Sequence, residues 1–428
     1  MTVRDGHVAG GRRGRDELGL FTAALGLSGP WRVTRSEFDA GATQLDRYLD
    51  FARGARFACP AKDCARGDCP VHDSVEKTWR HRDFFQHTVL LHARLPRVRC
   101  PQHGVRQVEV PWPGSGSGFT VLFEALVLTF AAAMPMAKVA AVTREHDTRI
   151  WRVVEHHVHA ARDQLDATGV RRVGMEETSA RKGQDYISIV ADLDARRVIF
   201  ATEGRCAQTV GRFAADLAEH GGDPEKVTDT SSDRSTAFIS GISQYLPNAR
   251  MTFDRFHLAA KLSEAIDTVR RSRHPPGTHP HPLAVAQNWA TLSAKQQGQL
   301  HRLMRPSAQL ATTRALRWCE DFQAFYDQDP SYAPAYLRSW CSGATRSHLH
   351  PIKDLVTLVE KHWDGIIAWH TNHLSGLLEG INSLIQAAQA RARGYRNKNK
   401  MITIVYLTAA RLQLPTLTHP TPAYMTSR

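Results

Sequence analysis

The chain has 428 residues, enough for roughly two to four domains with separate hydrophobic cores. Lys and Arg number 55 against 42 Asp and Glu, and the resulting net charge of +13 favours a polyanionic partner such as nucleic acid. The longest apolar run, 119–134, contains Glu124 and is followed by Pro135, so the sequence predicts a core helix there and no membrane-spanning segment or membrane partner.

The first segment, 1–17, is rich in Gly and Arg and contains no apolar stretch. We therefore predict a flexible basic arm at this end of the chain and no signal peptide. The chain has seven Cys, and four of them fall between positions 59 and 100. Clustered cysteines in a long chain without a signal peptide favour a metal site in a reducing cytoplasm over disulfide bonds.

A zinc-binding module is predicted within an N-terminal region that spans 18–112. The preferred ligands form two short pairs, Cys59 with Cys64 and Cys100 with His103. Zinc takes four thiolate or imidazole ligands in a tetrahedron, and a metal that joins two short knuckles gives a small region a core that it would otherwise lack. Cys69 and His72 form a competing pair, and a set of buried free thiols is the alternative to a zinc site.

Basic residues alternate with aromatic residues between the two ligand pairs. Arg80 follows Trp79, and Arg97 belongs to a basic run that ends at Cys100. Such interleaving is typical of surfaces that contact DNA phosphates, and we predict this role for Arg80 and Arg97. A solvated charged face is the alternative interpretation.

A helix–turn–helix is predicted over 119–168, after a Gly- and Ser-rich linker at 111–118. The helical periodicity covers three segments, 119–134, 136–144 and 148–166. The last two segments, joined by a short break, fit the motif. Arg149 and Arg152 lie near the start of the final segment, where recognition-helix side chains reach base edges, so both are predicted to bind DNA.

Residues 169–254 predict a mixed α/β domain. The elements follow in the order strand meander, helix, strand, helix and strand, with the assigned segments at 170–204, 209–220, 227–230 and 250–253. This order is typical of a mixed sheet with helices packed on it. Residues 255–372 are predicted to be mostly helical, and two further helices are predicted at 375–392 and 400–412.

Carboxylates stand where several of these elements meet turns. Glu176 lies in the first strand of the meander, and Asp233 and Asp254 each follow a strand, whereas Glu379 lies in a helix. Successive strand residues face opposite sides, so only one of Glu176 and Glu177 can face a metal site. Mg²⁺ and Mn²⁺ take hard oxygen ligands of this kind, and two such ions about 4 Å apart support phosphoryl transfer. Solvated surface charges are the alternative.

The most specific motifs in the chain are Lys-Thr-Trp-Arg-His81, Gly-Met-Glu-Glu-Thr-Ser179, Phe-Asp-Arg-Phe-His257, Leu-Glu-Gly-Ile-Asn382 and Arg-Ala-Arg-Gly-Tyr-Arg396. With these motifs in this order, the chain resembles the ISL-three family of bacterial insertion-sequence transposases over residues 20–415. Transposases of this family are of the DDE type. The resemblance implies a multidomain α+β fold with an N-terminal zinc-binding region and a helix–turn–helix. It also implies an RNase H-like α/β catalytic domain at 169–254 and 373–415, interrupted by a helical insertion at 255–372, with a tail at 416–428.

The catalytic triad that the resemblance implies consists of Glu176, Asp233 and Glu379, which would bind Mg²⁺ or Mn²⁺. Asp254 is the alternative second acid. The family has Asp where this chain has Glu176. The extra methylene moves the carboxylate by roughly 1 Å, a displacement that can cost on the order of 10²-fold in rate.

Together these observations predict a DNA transposase that binds the terminal inverted repeats of an insertion sequence and cuts and rejoins DNA. We expect it to bind Zn²⁺ structurally, to act as at least a dimer on DNA, and to lie in the bacterial cytoplasm at the nucleoid. Glu176 leaves one alternative, a catalytically impaired, transposase-derived protein that binds specific DNA. Further DNA contacts are predicted for His257, Arg391, Arg393, Arg396, Lys398 and Lys400.

Overall fold

The computed structural model describes residues 13–180, 186–232, 235–253, 255–273, 311–372 and 375–418. The chain divides into two compact units, the first made of Met1–Arg162 with Gln413–Arg428 and the second of Asp163–Leu412. Asp233 and Asp254, two of the predicted metal-binding residues, lie outside the described residues. Among the described helices, none combines the length and the apolar character that crossing a membrane requires.

The first unit contains a six-stranded sheet. Its strands are β1 (Trp31–Asp39), β2 (Gln44–Phe51), β3 (Arg56–Phe57), β4 (Cys69–Phe84), β5 (His87–Cys100) and β6 (Gly104–Gln107). The order is β1-β2-β5-β4-β3, with β6 paired to β5; β2 and β5 run parallel and the other pairs are antiparallel. In β5, Leu91, Ala93 and Leu95 are buried at alternate positions, so one face of this strand lies in the core.

The first helix, α1 (Arg13–Ala24), begins before the end of the predicted flexible arm. The arm predicted at 1–17 was therefore too long, because residues 13–17 are helical. Contacts with the sheet support the helix: the Arg47 guanidinium lies 3.3 Å from the centre of the Phe21 ring, and the Val33 N–H donates to Thr22 Oγ1 at 3.0 Å. Composition alone could not reveal such tertiary support for a short helix.

Three helices follow the sheet in the first unit: α2 (Val121–Ala133), α3 (Met136–Thr143) and α4 (Asp147–Arg162). The three predicted helical segments are confirmed, although α4 ends four residues before the predicted boundary. Arg144 ends α3 with a φ of 56°, in the left-handed region that terminates many helices. The buried residues of α4 follow the helical period and include Ile150, Val154 and Val158.

The predicted linker at 111–118 is held in place by a buried carboxylate. The Ser115 N–H and Oγ donate to Glu124 at 3.0 and 2.8 Å, and the Ser117 Oγ donates to it at 2.6 Å. Gly114 lies against the same carboxylate, since a Cβ at this position would be 2.2 Å from Glu124 Cδ. The Gly and Ser residues that suggested flexibility therefore permit close approach and supply hydrogen bonds.

The second unit contains a five-stranded sheet. Its strands are β7 (Arg172–Ser179), β8 (Tyr186–Asp192), β9 (Arg197–Glu203), β10 (Asp229–Ser232) and β11 (Arg250–Phe253). The order is β11-β10-β7-β8-β9, and it confirms the predicted meander over β7–β9. On the other side of β7, β10 and β11 are added in parallel. Helices α5 (Ala207–Glu219) and α6 (Thr236–Tyr245) contribute Phe213 and Phe238 to a core shared with Met175 of β7.

The described residues between 255 and 372 are mostly helical, as predicted. Their helices are α7 (Arg255–Arg273), α8 (Ala311–Gln323), α9 (Ala333–Thr345), α10 (His350–Lys361), α11 (Trp363–Ile367) and α12 (Trp369–Asn372). They share a hydrophobic core that includes Leu262, Phe322, Leu337 and Ile352. Phe253, the last residue of β11, belongs to the same core and joins it to the sheet.

Two C-terminal helices, α13 (Ser375–Ala392) and α14 (Lys398–Ala409), pack on the sheet of the second unit. Gln389 of α13 donates from Nε2 to the Ser179 carbonyl of β7 at 2.9 Å. The Ala201 N–H of β9 donates to the Tyr406 hydroxyl of α14 at 2.8 Å. These contacts attach two regions of the chain that are far apart in sequence to the same sheet.

Candidate functional site

Glu176 lies within β7, and the alternation of the strand separates it from Glu177. Met175, on the Glu177 side, belongs to the core beneath α5 and α6. Gly174, on the Glu176 side, packs so tightly on α13 that an added Cβ would lie 2.5 Å from Leu378 Cδ2. Glu176 therefore shares the face of β7 that α13 covers, and Glu177 shares the opposite face.

Glu379 directly follows Leu378 and is exposed in the second turn of α13. The helix begins at Ser375, so Glu379 is not its first residue, although it belongs to the predicted helix. Because Leu378 contacts Gly174, the helix that carries Glu379 is anchored on the strand that carries Glu176. Of the predicted carboxylates, these two are the ones that the structure describes.

Three residues that immediately precede predicted carboxylates are paired side by side in the sheet. Ser232 of β10 pairs with Met175 of β7 on one side and with Phe253 of β11 on the other. The residues that come next in the sequence are Glu176, Asp233 and Asp254. Strand register is set by pairing between distant segments of the chain. The sequence alone therefore did not reveal that the residues before these three carboxylates are neighbours across the sheet.

The structure brings together Cys59, Cys64, Cys100 and His103 in the first unit. Their ligand atoms all lie within 4.8 Å of one another. Cys64 Sγ is 3.7 Å from Cys100 Sγ, and His103 Nδ1 is 3.8 Å from Cys59 Sγ and 3.6 Å from Cys100 Sγ. Zinc bond lengths give tetrahedron edges of about 3.8 Å between sulfurs and about 3.6 Å between sulfur and nitrogen. The quartet therefore fits a tetrahedral zinc ion.

Neighbouring groups favour metal binding by two residues of this quartet, His103 and Cys100. His103 Nε2 lies 3.3 Å from Asp63 Oδ2, a contact that orients the ring with Nδ1 toward the thiols. Burial raises the pKa of the Cys100 thiol, but hydrogen bonds from His103 and from the backbone of Gln102 outweigh it and lower the pKa to about 6. The thiolate is the form that binds metal.

The competing pair, Cys69 and His72, is not part of this quartet. Cys69 is buried in the core of the first unit, and burial raises the pKa of its thiol. The His72 Nδ1 lies 3.1 Å from Arg99 Nη2, which donates to it. Cys69 is buried whereas His72 is exposed, and the four ligand atoms that lie within 4.8 Å of one another belong to other residues, so the structure favours the quartet over the C-x2-H pair.

The prediction that Arg80 contacts DNA is contradicted by its burial. Its side chain is 6% exposed and forms ion pairs with Asp83 and, at 3.8 Å, with Glu145. Asp83 also pairs with Arg144, and Glu145 also pairs with Arg149. We call these five residues the arginine–carboxylate network. It joins the end of β4 to the turn between α3 and α4, which a pattern of basic and aromatic residues could not indicate.

The remaining arginines that were predicted to bind DNA in the first unit differ in their surroundings. Arg149 donates to the Ser117 carbonyl at 3.2 Å, and its guanidinium lies 4.1 Å from the centre of the Phe119 ring. Arg97 is 44% exposed but is paired with Asp73, with Nε 2.5 Å from Oδ1. Arg152 is exposed on α4. Arg152 is therefore the residue whose position best suits the predicted role.

The C-terminal basic residues surround the connection between α13 and α14. They are Arg391, Arg393, Arg396, Lys398 and Lys400. Arg391, Arg393 and Arg396 are exposed, whereas Lys398 forms an ion pair with Glu203 at 3.0 Å. His257 is half-buried in α7, the helix that follows β11. The α13–α14 connection and α7 both belong to the second unit, which also contains Glu176 and Glu379.

Sequence reasoning missed a buried glutamate–histidine pair in the first unit. Glu124 and His157 are both fully buried, with Glu124 Oε2 2.7 Å from His157 Nε2. Burial raises the pKa of Glu124, but hydrogen bonds from His157, Ser117 and Ser115 outweigh it and hold the pKa below its ordinary value. A carboxylate in an otherwise apolar run needs a buried partner, and that signal was present in the sequence.

We expect Glu124→Ala to destabilise the first unit by about 2–4 kcal/mol, because the buried His157 imidazole and the serine donors lose their hydrogen-bond partner and a cavity remains. The measurement is denaturant-induced unfolding of the full chain, followed through the transition of the first unit. Glu109→Ala, which removes an exposed carboxylate from the same unit, is the matched control and should change stability by less than about 0.5 kcal/mol. Equal stabilities for the two variants would contradict a role for the pair.

Three family models match the chain. A model described as a transposase, the DDE transposase of the ISL3 type, matches residues 173–405, which is more than half of the chain. The helix–turn–helix domain of transposase family ISL3 matches residues 108–158. The zinc-finger of transposase IS204/IS1001/IS1096/IS1165 matches residues 55–103, the segment that contains the whole cysteine–histidine quartet.

The chain is also similar to individual transposases. It is 26% identical over 367 residues to the transposase for insertion sequence element IS1557 of Mycobacterium tuberculosis, covering 78% of this chain and 82% of that protein. It is 25% identical over 344 residues to the transposase for insertion sequence element IS1001 of Bordetella parapertussis, covering 77% and 83% respectively.

Proposed function

Because the chain belongs to the ISL3 family of transposases, we propose that it binds the terminal inverted repeats of an insertion sequence and catalyses metal-dependent cleavage and strand transfer of DNA. The observation that carries the catalytic part is the packing of Leu378 on Gly174. This contact attaches the helix of Glu379 to the strand face that bears Glu176. Two carboxylates from distant parts of the chain thereby belong to one side of one sheet.

We assign an RNase H-like fold to the catalytic domain, with a helical insertion at 255–372. The sheet supports this assignment because an antiparallel meander is extended on one side by two parallel strands, in the order β11-β10-β7-β8-β9. The helices α7–α12 come between β11 and α13 in the chain and have their own core. In this arrangement the central strand β7 carries the first acid.

Asp233 is the better candidate for the second acid than Asp254. Asp233 follows β10, which is hydrogen-bonded directly to β7, whereas Asp254 follows β11, one strand further away. Neighbouring strands lie about 4.8 Å apart, so two strands span about 10 Å. Carboxylates that share a metal ion must approach within a few ångströms, which favours residues from adjacent strands.

The proposed ligands of the catalytic metal are Glu176, Asp233 and Glu379. Three carboxylates form a hard, anionic donor set, which suits Mg²⁺ or Mn²⁺. Two such cations, when bound, activate the attacking hydroxyl and stabilise the leaving oxygen of an in-line displacement. The chain itself supplies the orientation, since Glu176 belongs to a central strand and Glu379 to a helix that Leu378 anchors on that strand.

We propose a structural zinc ion held by Cys59, Cys64, Cys100 and His103. Three of the distances between their ligand atoms are 3.6 to 3.8 Å, which supports tetrahedral coordination. Four protein ligands leave no open position for water or substrate, which argues against a catalytic zinc. The metal would connect the segment after β3 with the turn between β5 and β6 and so stabilise that end of the sheet.

DNA contacts are proposed for Arg152 on the exposed face of α4 and for the basic residues at the α13–α14 connection. Arg152 lies in the second turn of the recognition helix, near the end that enters the major groove. Arg391, Arg393 and Arg396 are exposed cations in the same unit as the carboxylates, which suits contact with phosphates near the cleaved strand. Joining two DNA ends requires at least two copies of the chain, acting where bacterial DNA lies, in the cytoplasm.

The test is a strand-cleavage assay with the full chain, Mg²⁺ or Mn²⁺, and duplexes that carry the terminal repeats of its own insertion sequence. We expect nicks at the repeat ends and no cleavage of a scrambled duplex. If neither the wild type nor Glu176→Asp cuts the repeat DNA while both bind it, the protein is a DNA-binding derivative of a transposase. If neither binds the repeats, the proposed function is wrong.

Glu176 itself supports the second candidate, the impaired transposase, because its carboxylate is one methylene longer than the family's Asp. We expect Glu176→Asp to raise the cleavage rate, by up to about 10²-fold, because it corrects a displacement of roughly 1 Å. The measurement is the single-turnover rate at saturating DNA, with Glu177→Asp as the matched control on the opposite face of β7. Equal rates for wild type and Glu176→Asp would remove the reason to regard the native protein as impaired.

A further inference from the structure

The tip of the β4–β5 hairpin carries an exposed aromatic residue in a strained conformation. Phe84 pairs with His87, so Phe85 and Gln86 form a two-residue loop. Phe85 has a φ of 55° and is 82% exposed. Glycine is favoured at a loop position with positive φ, and a bulky side chain there is a true outlier. Since Phe85 contributes to no core, folding alone does not explain its presence.

The hairpin tip is attached to the helix–turn–helix. Arg144, the residue that ends α3, donates from Nη1 to the Gln86 carbonyl at 2.9 Å and also pairs with Asp83. The arginine–carboxylate network extends this connection through Arg80 and Glu145 to the start of α4. The tip therefore occupies a fixed position beside the end of α4 that enters the major groove.

The charge around the tip suits a polyanion. Arg82 and Arg144 are exposed cations beside the tip, and Arg144 also pairs with Asp83, whereas the side chain of Arg80 is buried and does not contribute to this surface. The exposed apolar side chains here are Phe85, the 42% exposed Phe84, and Phe38 of β1, which is 56% exposed and has its ring centre 4.7 Å from that of His87. Three side chains are far fewer than the 20–30 residues per partner that a stable protein interface commonly contributes. A small apolar tip with a cationic rim is instead typical of proteins that insert a wedge into the minor groove.

We propose that this tip is a second DNA-contacting element, in which Phe85 inserts between base pairs in the minor groove beside the major-groove site of α4. The inference rests on the proposed function, because it requires that the helix–turn–helix bind DNA. An inserted apolar side chain unstacks one base step and bends the duplex toward the major groove. The strained backbone is compatible with such a role, since it holds the ring away from the sheet.

The experiment compares wild type, Phe85→Gly and Phe85→Leu on fluorescent duplexes that carry the terminal repeats, with affinity and DNA bending measured by energy transfer. Phe85→Gly should weaken binding by about fivefold or more, the range expected for loss of one stacked ring, and should abolish the bend. Phe85→Leu keeps an apolar wedge and should retain the bend. Tyr332→Ala, which removes an exposed aromatic ring from the second unit, should leave both quantities unchanged.

Thermal unfolding separates these effects from misfolding, because glycine suits a positive φ and Phe85→Gly should melt at or above the wild-type temperature. Wild-type affinity and bending in Phe85→Gly, or loss of the bend in Phe85→Leu, would overturn the wedge and leave the proposed function intact. Failure of the wild type to bind the repeats would instead contradict the proposed function. A shift in sedimentation of Phe85→Gly with unchanged DNA binding would assign the tip to a second copy of the chain and overturn the proposal.

Discussion

Replacement of Glu379 by Gln is expected to reduce the strand-cleavage rate by about a thousandfold or more while leaving the affinity for repeat DNA nearly unchanged. Gln keeps the size of the side chain but removes the charge that binds a divalent cation. Metal ions contribute several kcal/mol to the stabilisation of charge in such transition states, and each 1.4 kcal/mol corresponds to about tenfold in rate. The measurement is the single-turnover rate of cleavage at saturating DNA and Mg²⁺.

The matched control is Glu360→Gln, because Glu360 is an exposed carboxylate on α10, outside the proposed triad. It should cleave DNA at the wild-type rate. Full activity of Glu379→Gln would remove Glu379 from the site. A loss of DNA affinity that accounts for the entire loss of cleavage would assign Glu379 to DNA binding instead of catalysis.

The same assay distinguishes the two candidates for the second acid. Asp233→Asn should resemble Glu379→Gln, whereas Asp254→Asn should retain substantially more activity. The physical reason is the order of the strands, since β10 lies directly beside β7 and β11 lies beyond it. The reverse result would make Asp254 the metal ligand and Asp233 a neighbouring residue.

Cys100→Ser is expected to release the zinc ion and to unfold the zinc-binding end of the first unit. Metal binding in zinc-finger peptides supplies roughly 10–16 kcal/mol, which exceeds the total stability of many small domains. Serine is a poor substitute because zinc prefers the thiolate, and Cys100 has a lowered pKa that favours this form. Zinc content by mass spectrometry and thermal unfolding of the full chain are the measurements.

Cys206→Ser is the matched control for this loss, because Cys206 is an exposed thiol in the second unit. It should retain zinc and the wild-type unfolding temperature. The alternative ligand is tested by Cys69→Ser, which should keep the metal although it alters a buried position. Loss of zinc in Cys69→Ser and retention in Cys100→Ser would contradict the proposed ligand set.

Several features of the fold were predictable because they depend on local spacing. The α4 helix has its apolar residues at helical intervals, and the β7–β9 meander alternates at short range. The two pairs of proposed zinc ligands are recognisable for the same reason, since residues three to five positions apart can chelate one ion on a tight turn. The three family models match the regions of the chain that contain these features.

Other features depended on which surfaces meet. Arg80 and Arg97 look alike in sequence, yet Arg80 is buried between two carboxylates and Arg97 is partly exposed and paired with Asp73. The linker at 111–118 contains residues typical of flexible segments, but the buried Glu124 binds its serines. In each case the deciding partner comes from another element, and its distance is set by packing.

The sequence by itself determined the types of chemistry available: carboxylates suited to Mg²⁺, thiols and imidazoles suited to zinc, and cations suited to phosphate. Only the tertiary structure decided that Glu176, and not Glu177, shares a face with the helix of Glu379, because Gly174 admits Leu378 there. It also decided that the hairpin tip with Phe85 is attached to the helix–turn–helix. The type of each residue can be read from the sequence. Strand register, burial and pairing depend on the folded chain, because segments that are distant in sequence compete there for the same contacts.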